Sequence, residues 1–377
     1  GGALGRMSIF ALNIIPYITA SIIMQLLTVI SKDIAALKKS GELGRKKITQ
    51  YTRYLTIVLA FIQAFGIANG LESLAQQYKG LVVNPGLSFK LMTAFCIMGG
   101  TVLVMWFGEQ ISSRGIGNGS SILIFTGIIS GMPRALAALF ELGKSGSYSS
   151  PTIFGILMLA FGLITIIVFV EKSQRKILVQ YPKRQVGQKI TSGGSMHLPL
   201  KINTAGVIPP IFASSLLSFP ATIVGFQTIQ NPDSFLGFIA RNLVNGKPLY
   251  LAVYVTLIVF FSFLYTTIIF NSQETAENLK KNGGVVLGRR PGQHTAEYFD
   301  MILGKLTVVG AIYLSVICVI PELLISKLAI PFYLGGTSLL IVVNVVTDLF
   351  TQIQSHILNN QYAKLMNPGK KKKNRRR

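Results

Sequence analysis

Nine stretches of this sequence are apolar over roughly the 20 residues that a helix needs to cross bilayer hydrocarbon. They lie at about 7–30, 51–72, 89–112, 118–138, 152–170, 204–226, 249–270, 301–320 and 333–357. Inside lipid no water satisfies a backbone N–H or C=O, so a run of this length must bond within itself as a helix. The sequence therefore predicts an all-α polytopic membrane protein. Composition agrees: half of the 377 residues are hydrophobic and 13% are charged, about half the charged share of globular domains. A soluble enzyme with a large core is excluded.

The first run contains IFALNIIPYITASIIMQLL (9–27), with Pro16 near its middle and the small polar residues Thr19 and Ser21. Ile14, Ile18 and Ile22 recur every four residues and so share one helix face. Pro16 removes a backbone donor and predicts a kink. Two readings fit. The helix packs among neighbours that satisfy its backbone, or it lines a pathway into which the isoleucines point. Gly66 with Gly70, and Gly127 with Gly131, have the small-residue spacing that permits close helix packing. Pro133 predicts a break in the SGMPRALAALFELG stretch (130–143). Cys96 and Cys318 fall inside apolar runs and read as small buried hydrophobes, forming neither a ligand pattern nor a disulfide framework.

The net charge of +23 has to lie outside the membrane. Loops 31–50, 171–203 and 271–299 and the tail 359–377 carry six, seven, four and eight Lys/Arg, 25 of the 36. The intervening loops carry only Lys79, Lys144, Arg241, Lys247 and Lys327. The positive-inside rule places the first set and the C-terminus in the cytoplasm. Nine spans then leave the N-terminus outside. With an opening on Gly1-Gly2-Ala3, this is read as a chain that begins partway into a longer protein, one span having preceded it.

Two of the basic loops carry fold signals. RKILVQY (175–181) and HLPLKIN (197–203) are expected to pair as a projecting hairpin. Asn271 and Glu274 have capping-box spacing, Gly283 suits a helix C-cap, and GRRPG (288–292) is a basic turn. Charge beside a membrane is commonly a topology signal and a contact for anionic lipid, about 1 kcal/mol per residue. Charge on a defined shape also suits a large acidic partner, including ribosomal RNA.

No catalytic constellation is visible. His197, His294 and His356 are scattered, the serines lack a nucleophile-elbow pattern, and there is no phosphate-binding GxxxxGK[ST] loop. No cofactor or metal is expected. Glu109, Glu171 and Asp348 fall near segment ends, leaving the span midpoints without ionisable groups. Ion-coupled transporters keep such groups at mid-membrane, which counts against a pump or an antiporter.

Eight blocks, in order, resemble the SecY/Sec61-alpha family, the central subunits of protein-conducting channels. They are IFALNIIPYITASIIMQLL (9–27), GRKKITQYTRY (44–54), GEQISSRGIGNGSS (108–121), EKSQRKILVQYPKRQ (171–185), LPLKINTAGVIPPIFASSLLSFP (198–220), NSQETAENLKKNGG (271–284), GRRPGQHTAEYFD (288–300) and PFYLGGTSLLIVV (331–343). The resemblance covers essentially the whole chain. It implies ten spanning helices in two pseudo-symmetric, inverted halves around an hourglass pore. Nine of the ten would be present: the N-terminal half in 1–145, the C-terminal half in 146–358, and a basic tail in 359–377. Gly1 to about Ser8 would be the end of a plug segment.

By the same resemblance the ring at the pore waist is expected from Ile14, Ile18, Ser120, Ile124, Ile211 and Ile341. Ser120 departs from the usual aliphatic residue. Branched aliphatic side chains make a narrow, dewetted constriction that resists ions. They offer no hydrogen bonds, so a chain of any sequence can pass. A lateral gate between the first span and the sixth, with Ile22, Gln25, Gln63 and Asn203, would release apolar segments into lipid. Interhelical hydrogen bonds there are worth about 0.6–2 kcal/mol each, weak enough for a gate that opens; ordinary interhelical bonding accounts for the same residues equally well.

Contact with a motor ATPase (SecA) or a ribosome is expected at Arg175, Lys176, Lys183, Arg184, Lys189 and Arg290. SecE and SecG are the small membrane partners implied, with the translocating polypeptide, its signal sequence and anionic lipid. The function implied is passage of unfolded secretory chains across the cell (inner) membrane and lateral release of membrane segments, with energy from a partner. A secondary transporter of small solutes is the alternative from another class. An intramembrane enzyme lacks paired catalytic groups.

Overall fold

The computed structural model describes residues 8–77, 82–146, 148–182, 184–186, 189–191, 194–227, 247–328 and 335–366. The apolar runs form helices, as lipid demands. Helices α1 (Ile15–Ile30), α2 (Lys32–Lys39), α3 (Glu42–Gln77), α4 (Leu87–Arg114), α5 (Gly119–Lys144) and α6 (Ser150–Lys172) come first. Strands β1 (Gln174–Gln180), β2 (Arg184–Val186), β3 (Lys189–Thr191) and β4 (Ser195–Lys201) follow. Then come α7 (Ile208–Gln227), α8 (Pro248–Ile269), α9 (Ser272–Lys281), β5 (Val285–Val286), α10 (Gln293–Leu328) and α11 (Gly336–Met366). Among the described residues, seven helices are long and apolar enough to cross a bilayer, and the bent pair α1–α2 makes an eighth candidate. α7 occupies the remaining apolar run.

Three local expectations are corrected. Among the described residues of the first run, the helix begins only at Ile15. Residues 8–14 form i→i+3 turns (Ala11 N–H to Ser8 O, 2.9 Å; Asn13 N–H to Phe10 O, 3.0 Å), and Asn13 sits at φ +50°. Helix α1 is therefore 16 residues long, roughly 24 Å at 1.5 Å per residue, and ends in a 101° bend into α2. Pro16 lies in its first turn, where the missing N–H is one that a helix start leaves unused, so it starts the helix and does not kink it. Pro133 does not break α5, which runs unbroken through it. Inside hydrocarbon, ending the helix there would strand several backbone groups and continuing it strands about one.

Helices α3 and α4 form an antiparallel pair around Ala64, Ile67, Leu71, Ala94 and Ile97. Arg53 Nε bonds Glu109 Oε1 at 2.7 Å at one end, and Lys90 Nζ meets Glu72 Oε2 at 2.7 Å at the other. On each helix the two charges are roughly 28 Å apart at 1.5 Å per residue, which matches the hydrocarbon thickness. The larger core joins α6, α7, α8, α10 and α11 through residues such as Phe212, Ile258, Leu314, Leu339 and Leu340, and Ile22 of α1 belongs to it. On α6, Leu163 and Ile167 face this core while Phe154, Met158, Phe161 and Phe169 are exposed, the pattern of a lipid-facing stripe.

Cys318 is buried but Cys96 is exposed, contrary to the expectation for it. Ala94 and Ile97 take the inward positions of α4, and Cys96 between them points outward beside the exposed Phe95. The expected close packing at Gly66 and Gly131 is absent too: a Cβ added at either meets nothing within 4 Å.

The expected hairpin forms: β1 pairs antiparallel with β4, Arg175 opposite Leu200 and Ile177 opposite Leu198. The structure adds a third strand. β5, from the later basic loop, pairs with β1 through Val179–Val286 and Gln180–Val285. The two loops thus make one extramembrane unit, cored by Ile177, Val179, Leu200, Ala276, Val286, Ala296, Phe299, Ile302 and Leu303. Asn271 caps α9, its Oδ1 accepting from Glu274 N–H at 3.2 Å. Gly283 (φ +75°) closes the helix, with its N–H on Lys280 O and that of Gly284 on Leu279 O. These two bonds are the Schellman pattern.

Candidate functional site

The expected ring residues do not gather in one cluster. Ile18 of α1 and Ile211 of α7 lie half-buried against the same large core, which contains Ile22, and the two helices are in contact. Ile14 sits apart, just before α1, and is 1% exposed. Its Cδ1 stands 3.5 Å from where a Cβ on Gly108 would be, beside Leu123 Cδ1 (3.3 Å) and Ser120 N (3.7 Å). Ile14 and the backbone of Ser120 therefore both approach α4 at Gly108. Ile124 is half-buried outside the large core, and Ile341 is buried (8% exposed) but not part of it.

Ser120 is polar without being an open hydrogen-bonding site. It is the second residue of α5, and Asn118 Oδ1 accepts both its N–H (3.2 Å) and its hydroxyl (2.8 Å). The helix cap consumes the polar group.

The expected gate residues do not bond to one another. Asn203 is 3% exposed; its Nδ2 donates to Glu171 Oε1 at 2.7 Å and to Gly206 O at 3.1 Å. Both partners belong to the segment that carries α6, the hairpin and α7, so this bond does not cross to α1. Gln25 has a buried Oε1 with no partner. Gln63 is half-buried. Among the described residues no hydrogen bond joins any two of Gln25, Gln63 and Asn203. α1 packs on α7, and α3 packs on both; Ile22 of α1 belongs to the large core that includes α7 residues.

Three of the expected partner-binding charges, Arg175, Lys176 and Arg290, are exposed on the unit formed by the two basic loops. Arg175 and Lys176 are exposed on β1. Arg290 is exposed just after β5, its carbonyl accepting from Thr295 Oγ1 at 2.8 Å. Its neighbour Arg289 is engaged otherwise, its guanidinium 5.0 Å above the Tyr298 ring. β1–β5 pairing brings Arg175, Lys176 and Arg290 onto one rigid body. Arg184 and Lys189 lie on the β2–β3 ribbon, opposite Thr191 and Val186; Lys183 lies outside the described residues.

Sequence reasoning missed the two ion pairs of α3 and α4, the β1–β5 pairing, and the approach of Gly119 to Gly108. The ion pairs had a readable signal: opposite charges at matched 19-residue spacing, 53 with 72 and 90 with 109. The glycine approach had none, because it joins two helices whose crossing is not encoded locally.

A family model described as SecY matches residues 8–350. The protein translocase subunit SecY of Rickettsia bellii is 56% identical over 366 residues, covering 97% of this chain and 84% of that protein. Two solved structures share the fold. One is described as a protein conducting channel (TM-score 0.66, 18% identity, 92% of this chain and 81% of that one). The other is Sec61 in the canine ribosome-channel complex from the endoplasmic reticulum (TM-score 0.63, 19% identity, 92% and 81%). The chain belongs to the SecY family of protein translocase subunits.

Proposed function

We propose that this chain is the channel-forming subunit of a protein translocase: a conduit for unfolded polypeptides with a lateral exit for membrane segments. It is a channel and not an enzyme. The observation that carries the reading is the packing of α1 on α7, with Ile18, Ile22 and Ile211 at the same apolar core. An apolar contact between two helices can part around a chain of any sequence and close again without leaving polar groups unsatisfied. Ile14, Ser120, Ile124 and Ile341 complete the constriction in this account.

The two halves, 1–145 and 146–358, would part at this contact. The extramembrane unit and the tail 359–377 face the cytoplasm, as their Lys/Arg excess argues, and the membrane is the cell (inner) membrane. The solved canine relative sits in a ribosome-channel complex. A ribosome is accordingly one partner for Arg175, Lys176 and Arg290, and the motor SecA another. SecE, SecG, the signal sequence and anionic lipid are the partners within the membrane.

Reconstitution in vesicles with the small subunits and the motor tests the reading. ATP-dependent protection of a secretory protein from added protease is expected. Uptake of small solutes with no partner protein present, and no protected chain, would favour the secondary transporter instead.

A further inference from the structure

We infer that Gly119 is a positioning residue that sets the seal of the constriction, by holding the start of α5 against α4 at Gly108, the point that Ile14 and Ser120 both approach. The inference rests on the reading of Ile14 and Ser120 as constriction residues. A Cβ added at Gly119 would overlap the Gly108 carbonyl oxygen and stand 2.7 Å from its carbon and 3.0 Å from its Cα. Those atoms are backbone inside a helix, so they cannot yield as the tip of a side chain would. Any larger residue must push the first turn of α5 off α4.

The approach is also stapled. Ser112 Oγ donates to Gly108 O at 3.0 Å and accepts the Gly119 N–H at 2.8 Å, so one hydroxyl bonds both helices at the contact. Asn118 then caps α5 through Ser120. The outcome is a shared point: Ile14 Cδ1, Leu123 Cδ1 and Ser120 N all lie within 3.7 Å of where a Gly108 Cβ would stand. Ile14, 1% exposed, owes part of its cover to this junction. Shifting α5 by the width of a methyl group carries Ser120 and Leu123 away from Ile14 and opens an aliphatic constriction whose ion resistance depends on its narrowness.

The test uses the complete translocase in planar bilayers, with native cysteines replaced. Resting ion conductance is read together with thiol cross-linking of an Ile14→Cys/Ser120→Cys pair. Gly119→Ala is compared with Gly131→Ala, which adds the same methyl group to α5 where nothing lies within 4 Å. Gly119→Ala is expected to raise resting conductance several-fold and to lose most of the cross-link, while Gly131→Ala changes neither. Ser112→Ala removes only the staple and is expected to give a smaller rise; it carries the test if Gly119→Ala fails to assemble. Wild-type conductance and cross-linking in both Gly119→Ala and Ser112→Ala, or equal effects from Gly131→Ala, would overturn the inference. If the constriction reading itself is at fault the pattern differs: the cross-link is lost but conductance stays at the wild-type level, which removes the seal and leaves only the spacing.

Discussion

Asn203 Nδ2 donates to Glu171 Oε1 at 2.7 Å, and both side chains are at least 94% buried, at 3% and 6% exposure. The bond ties the end of α6 to the chain that leads into α7. It anchors the base from which α7 departs, and the contact of α1 with α7 is left to apolar side chains. A carboxylate buried this deeply needs its donor.

Replacing Asn203 with Leu leaves the Glu171 carboxylate buried without that donor and is expected to cost about 1–3 kcal/mol. Glu171→Gln keeps an acceptor for Asn203 and is expected to cost less. Thermal unfolding of the purified complex orders the two. Equal losses would mean that the bond contributes nothing beyond packing.

The Arg53–Glu109 pair is part-exposed, with side chains 48% and 19% accessible, so its worth is about 0.2–1 kcal/mol. Arg53→Glu places two carboxylates together and is expected to lower stability. The swapped pair Arg53→Glu/Glu109→Arg is expected to recover most of it. Absence of recovery in a double-mutant cycle would show that the two residues act independently.

Phe299 is fully buried at the centre of the extramembrane unit. Phe299→Ala is expected to destabilise that unit by about 3–5 kcal/mol. Hydrogen exchange should then accelerate together in β1, β4 and β5. Acceleration confined to α10 would contradict a single folded unit built from two distant loops.

Arg289 stacks on Tyr298 while Arg290 projects freely. Arg290→Ala is expected to weaken binding of the ribosome or the motor more than Arg289→Ala does, and to flatten the salt dependence of that binding. Binding titrations at several salt concentrations check this. A larger effect from Arg289→Ala would reassign the contact.

Much of the fold is legible in the sequence because lipid leaves so few options. Each apolar run had to be a helix, and the alternation of RKILVQY and HLPLKIN had to be strands. What escaped was set by tertiary context. Pro16 looks like a mid-span kink until the turn at Asn13 makes it a helix start. Pro133 looks like a break until the cost of unbonded backbone in lipid is counted. The sequence does not say where the Asn203 amide donates, and in the fold it goes to Glu171 and Gly206. Cys96 and Cys318 have similar surroundings in sequence, and only the choice of inward face by Ala94 and Ile97 separates them. The pairing of β5 with β1 joins segments about 100 residues apart, and no local pattern announces such a contact.

Whether the chain passes through this subunit is tested with a secretory chain stalled in transit through the reconstituted translocase, carrying a photo-cross-linker at successive positions. Cross-links are expected to Ile18 of α1 and Ile211 of α7, and to Ile14 and Ile341. Cross-links confined to the extramembrane unit, with none at these isoleucines, would contradict that expectation and make this protein a docking site for the chain and not its path.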